Sequence, residues 1–255
     1  MKSKYRNSEL GNTLIVVLIL IVVVTIIGLV AIRQSITSLK ISTNSQAQSL
    51  LMRNSDAYFF NIEAAGDVYK KLNASKFGFV GFASQPENIG KEVVFCFNQN
   101  IVQNFDTNTV GVISNVLTNT VDPIGTGKKK ITPITRGACD PAIAENYTSG
   151  RKAVMTQVAI KVDNTAMNPL ENFVEGTDVP QVPQPIRVRI NTTSLMPAMA
   201  STATSAQIKS CLTDYPADPI VDGSNSSNSI SDCLRNLDVP FNAQVAEYRQ
   251  SNTPM

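Results

Sequence analysis

Four cysteines, a triple lysine and a scatter of aspartates stand out as candidates for chemistry in this 255-residue chain, which has no histidine. The missing imidazole removes the usual general base near neutral pH, the commonest zinc ligand and any Ser-His or Cys-His nucleophile. Catalysis would fall to carboxylates or lysine alone, so we expect no enzyme. Cys96, Cys139, Cys211 and Cys233 all lie beyond the N-terminal apolar segment, and their spread excludes a paired C-x-x-C metal site. An even set in an exported domain reads as disulfides, and three connectivities are open. Sequential pairing (Cys96–Cys139, Cys211–Cys233) closes the shortest loops and is worth about 4 and about 3 kcal/mol on the chain-entropy model. In a reducing compartment the four would instead be buried free thiols.

The other motifs read as surface chemistry. Gly125-Thr126-Gly127-Lys128-Lys129-Lys130 suggests a phosphate loop but fails its pattern. Asp122 stands where the first glycine belongs, and Lys129 replaces the Ser or Thr that holds magnesium. We expect a solvated loop between strands, able at most to meet an acidic partner. Asp214, Asp218, Asp222 and Asp232 gather near the last cysteine pair, yet their spacing does not follow a twelve-residue calcium loop. Turn-forming aspartates are the simpler reading, and we expect no metal and no cofactor. The sequons at Asn73, Asn146, Asn191 and Asn225 are expected by chance in so Asn-, Ser- and Thr-rich a chain, and carry no function here.

The elements that must hold these residues fall into two parts. From Leu10 to Ile32 no residue is charged, long enough to cross a bilayer. Arg33 to Leu72 has no proline, and Ile36, Leu39, Leu50, Leu51, Tyr58, Ile62 and Tyr69 keep roughly to one helical face. A helix over about Asn12–Leu72 would be roughly 90 Å long. Ser42–Gln46 is a weak helix former, where a break is expected. Beyond it, Phe77–Phe82 alternates bulky and small residues, and Val93–Phe97, Ala153–Val162 and Ile186–Ile190 read as strands. Pro-rich turns at Asp122-Pro123, Asn168-Pro169 and Val179–Pro185 separate them. A short helix after Pro197, a mobile Gly223–Ser231 and a final strand over Asn242–Gln250 complete the expectation. The fold class is α+β: a long helical spine whose apolar face covers one side of an antiparallel sheet. The net charge of +2 gives no general drive toward nucleic acid.

The N-terminus narrows the class further. Lys2, Lys4 and Arg6 make a basic leader, but the apolar core is too long for a cleaved secretory signal and no small-residue cleavage site follows. No cysteine follows for lipid attachment before Cys96. A plain uncleaved anchor fits, with its positive residues on the cytoplasmic side. More specifically, Gly11 precedes the apolar run, and Asn12-Thr13-Leu14-Ile15 opens it. This resembles a type III (prepilin) leader, cut after the glycine to leave Asn12 as the first mature residue. The resemblance covers about the first 72 residues, and Gln46–Leu72 sits where PilX-like minor pilins carry a helical segment.

Two departures mark the match. Asn12 stands where Phe or Met is usual, and Val16 where most pilins carry Glu. An intramembrane carboxylate is expensive and in major pilins is thought to meet a neighbour's amino terminus. Its loss is typical of tip-type subunits, so the resemblance implies a PilX-like minor pilin that primes type IV pilus assembly. Implied segments are a leader (1–11), a membrane and assembly helix (12–33) with Leu14, Ile15 and Val16, a periplasmic half (34–73) and a β-rich head (74–255). Implied partners are other minor pilins, the major pilin, the prepilin peptidase, the inner membrane and a large tip adhesin, with no nucleic acid. The implied location is the inner membrane with a periplasmic head, then the fibre tip. A K-type pseudopilin of type II secretion, which also lacks the Glu, and a tip adhesin module are the alternatives.

Overall fold

The uncharged N-terminal run and the proline-free stretch after it form one helix, α1, over Leu10–Glu63. The computed structural model describes residues 10–63, 78–98, 109–114, 133–148, 151–163, 186–219, 221–222, 225–226 and 228–250. The chain divides into two units, Met1–Ala47 and Gln48–Met255. In the first, every residue from Leu14 to Gln46 is exposed. The break expected at Ser42–Gln46 is absent, and the helix runs through it. Within it the Thr43 hydroxyl is satisfied by donating to the Leu39 carbonyl one turn back (2.9 Å), as Thr37 donates to Arg33 (3.0 Å). The expected continuation to Leu72 lies outside the described residues from position 64 onward.

The second unit is built on a five-stranded antiparallel sheet in the order β2-β1-β3-β4-β7, confirming the α+β class. Its strands are β1 (Glu92–Phe97), β2 (Gly111–Ile113), β3 (Met155–Asp163), β4 (Ile186–Leu195) and β7 (Phe241–Gln250). A two-stranded ribbon joins β5 (Val221–Asp222) to β6 (Asn225–Ser226). Three short helices complete it: α2 (Phe79–Ala83), α3 (Ser205–Asp214) and α4 (Ile230–Asn236).

Both sheet faces are covered, which explains why β1 and most of β3 read as continuous buried runs rather than alternating ones. On one face Phe95, Phe97, Val158, Ile160, Val188 and Ile190 pack with Tyr58 and Ile62 from the end of α1 and Phe79 from α2. The Tyr58 ring meets Phe97 edge-on at 5.3 Å and Phe95 at 5.8 Å, while Phe79 stacks on Phe95 at 4.6 Å. A buried hydroxyl chain crosses the same face: Ser55 donates to Ser194 (2.8 Å), and Thr156 and Ser194 share a second bond of 2.8 Å. On the opposite face Cys96, Met155 and Leu195 pack beneath Ile208 and Leu212 of α3 and Leu234 of α4.

Two expectations need correction. The alternating Phe77–Phe82 segment is not a strand over its described residues: Phe79–Ala83 is a helical turn that buries Phe79, Val80 and Ala83. Positions 79, 80 and 83 share one face at helical spacing, and the Ser84 hydroxyl closes the turn onto the Val80 carbonyl at 2.6 Å. The helix expected after Pro197 is present and contains Cys211. Pro197–Met199 is a single 3-10 turn, and α3 starts at Ser205, where Thr204 and Gln207 form a reciprocal capping box. Of Gly223–Ser231, expected to be mobile, Asn225–Ser226 form β6, Ser229 caps α4, and Ile230 and Ser231 lie in α4. Gly125–Lys130, Asp122-Pro123, Asn168-Pro169, Val179–Pro185 and the Asn73 sequon lie outside the described residues.

Candidate functional site

Gly11 and Asn12 both lie within α1, one and two residues after its first residue, Leu10. Leu14, Ile15 and Val16 follow on the same helix and are each more than half exposed. None of the most apolar stretch of this helix is buried, and the helix is long and apolar enough to cross a membrane. A water-soluble helix would carry one apolar stripe, whereas this one is apolar all round from Leu14 to Val24. Thr25, the first hydroxyl after that run, donates to the Val22 carbonyl at 2.7 Å, which satisfies it inside the helix.

The four cysteines form two disulfides, Cys96–Cys139 and Cys211–Cys233, which is the sequential pairing. The first joins β1 to the segment entering β3, with Cα atoms 4.8 Å apart. Gly137 makes that crossing possible: it adopts φ +88°, and a Cβ there would come within 2.2 Å of the Gly111 nitrogen and 2.4 Å of the Val94 oxygen. The second disulfide ties α3 to α4 with Cα atoms 5.6 Å apart. Gln157 of β3 locks both regions to the sheet. Its side-chain oxygen accepts from the Cys139 N–H (3.1 Å) and its amide donates to the Leu212 carbonyl (3.0 Å), all buried.

Three of the four aspartates, Asp214, Asp218 and Asp232, are engaged in structural contacts, and Asp222 lies in β5. Asp232 completes a capping box, accepting from the Ser229 N–H at 3.1 Å and its hydroxyl at 2.8 Å. Those bonds and Arg235 hold its carboxyl below the usual range. Asp214 accepts from Thr213, and Asp218 pairs with Arg189 at 2.9 Å. Among the described residues no three metal-ligating side chains converge. The Asn191 sequon is buried in β4, unsuited to modification in the folded chain.

One ionisable residue was missed by the sequence reading. Glu92 opens β1 and is only 4% exposed. Its two carboxylate oxygens accept from the backbone N–H groups of Ala217 (2.8 Å) and Asp218 (3.0 Å). Burial pushes its carboxyl up to about 7, against the pull of those two bonds, with Asp218 adding to the rise and Lys161 opposing it. A carboxylate heading the otherwise apolar run Glu92–Phe97 was the available signal.

No protein-family model matches this chain. Neither a characterised protein nor a solved structure matches it either. The functional reading therefore rests on the residues themselves.

Proposed function

We propose that this chain is a minor pilin of the PilX-like type, which primes type IV pilus assembly and is carried at or near the fibre tip. The observation that supports it is the placement of Gly11 at the head of an apolar run that carries no charge until Arg33, with Val16 in place of the usual carboxylate. Cleavage after Gly11 would free Asn12 as a mature, methylated amino terminus. The apolar helix would wait in the inner membrane and then pack beside the helices of other minor pilins and the major pilin. Two disulfides in the head support an oxidising compartment outside the cytoplasm. In this role the head assembles rather than turns over substrate, and we assign it no catalysis.

Mass spectrometry of the membrane-extracted protein tests the reading. We expect a mature chain starting at Asn12, with an added methyl group. An intact leader would overturn it. A clean deletion should also remove surface pili and twitching motility, and normal piliation would sink the priming role.

A further inference from the structure

The two edges of the five-stranded sheet differ. At one edge β2 spans only three residues, a length that offers little to an added strand. At the other edge β7 runs for ten residues, Phe241–Gln250, with no proline. It pairs with β4 at every position from Phe241 opposite Leu195 to Gln250 opposite Ile186, without a bulge. Among the described residues no strand pairs with its outer side, so its outward N–H and C=O groups form an open ladder. The side chains guard this edge only near its end. Glu247 and Arg249 carry charge, and Glu247 is already bonded to Arg189 at 2.8 Å. Two and four residues earlier on the same face stand Val245 and Ala243. Val245 is 56% exposed, and no other large hydrophobic side chain described in the sheet is exposed to that degree.

We propose that β7 is a self-association edge, to which a second copy of this chain adds its own β7 antiparallel, joining two sheets into one. Such a pairing is isologous, with a two-fold axis normal to the sheet. Opposite residues must point to the same face, so the axis passes by one residue rather than between two. The side chains then select the register. An axis at Glu247 or Arg249 sets like charges directly opposite, which is unfavourable. An axis at Tyr248 overlaps only Ala246–Gln250, and one at Ala246 sets apolar Val245 against Glu247. An axis at Val245 overlaps Phe241–Arg249 and sets Val245 against its own copy, with Glu247 opposite Ala243 and Arg249 opposite Phe241. A copy of this strand thus supplies the apolar neighbour that Val245 lacks and opposes no charge with its like. A strand pair is a small interface, so the contact is concentration-dependent. It uses no residue of the anchor, and it stands or falls apart from the assembly role.

Cross-linking of the full-length protein in detergent micelles reads the register. On mild oxidation Val245→Cys should give a disulfide-linked dimer of two 27.6 kDa chains, because directly opposite Cβ atoms lie about 5 Å apart. Glu247→Cys, exposed on the same face but displaced from its own copy, should link at least about tenfold less. Val245 points to solvent, so Val245→Lys should keep the thermal midpoint while weakening the dimer, followed by sedimentation, at least about tenfold. A protein that stays monomeric at about 100 μM would overturn the proposal. So would a dimer of unchanged strength in Val245→Lys, which would place the contact on the apolar helix instead. A Val245→Cys chain that, in cell membranes, links only to a chain of different mass would overturn the second copy in favour of a foreign strand.

Discussion

Glu92 also sets a pH dependence for the stability of the whole head. Its carboxyl holds a proton up to about 7 in the folded chain against 4.5 ordinarily. Below 4.5 both folded and unfolded chains are protonated, and its contribution is fully present. As pH rises from 4.5 through 7 the unfolded chain ionises first, so stability falls, by up to about 3 kcal/mol. Asp140 works in the opposite sense: its hydrogen bond from Lys209 holds its carboxyl down, so its contribution is lost as pH falls through that lowered range. Its carboxylate is partly solvated, which limits the effect. We expect chemical denaturation to give a lower stability at pH 8 than at pH 5, with the difference much reduced in Glu92→Gln. A wild-type stability that climbs between those two pH values would contradict the buried-carboxyl account.

At the scale of elements, α3 and α4 are short helices that depend on their ends. Each starts with a reciprocal capping box, Thr204 with Gln207 and Ser229 with Asp232. Thr204→Ala or Ser229→Ala should each cost about 1 kcal/mol, read as a lowered thermal midpoint with unchanged circular dichroism at low temperature. The sequence showed the larger elements well: β3, β4 and β7 came from alternation or apolar runs, and α1 from its uncharged length. Phe79–Ala83 misled because bulky residues interrupted by Gly78 and Gly81 mimic a strand, while their burial against the sheet follows helical spacing. Ser42–Gln46 misled because low intrinsic propensity was outvoted by continuity with the helix on both sides. Glu92 and Gln157 were illegible for a different reason. Their partners, Ala217, Asp218, Cys139 and Leu212, are 18 to 126 residues away, and only the sheet register brings them together.

For the whole molecule, the two disulfides are part of the core rather than clips on its surface. Cys96, Cys139 and Cys211 are buried among Met155, Leu195, Ile208 and Leu212. Each bond closes a loop, of 43 and 22 residues in sequence separation, so reduction should remove about 3 to 4 kcal/mol per bond on the chain-entropy model. Denaturant unfolding with and without reductant checks this, and a shift under 1 kcal/mol in total would contradict it. The end of α1 has a practical consequence for anyone wishing to release the head as a soluble fragment. Leu51, Tyr58 and Ile62 are buried, and Ser55 completes the hydroxyl chain with Ser194. A cut at residue 64 would strip the aromatic floor of Phe95 and Phe97 and yield a sticky, half-open sheet. A cut near Gln48 would discard the greasy stem and keep the lining that the sheet requires.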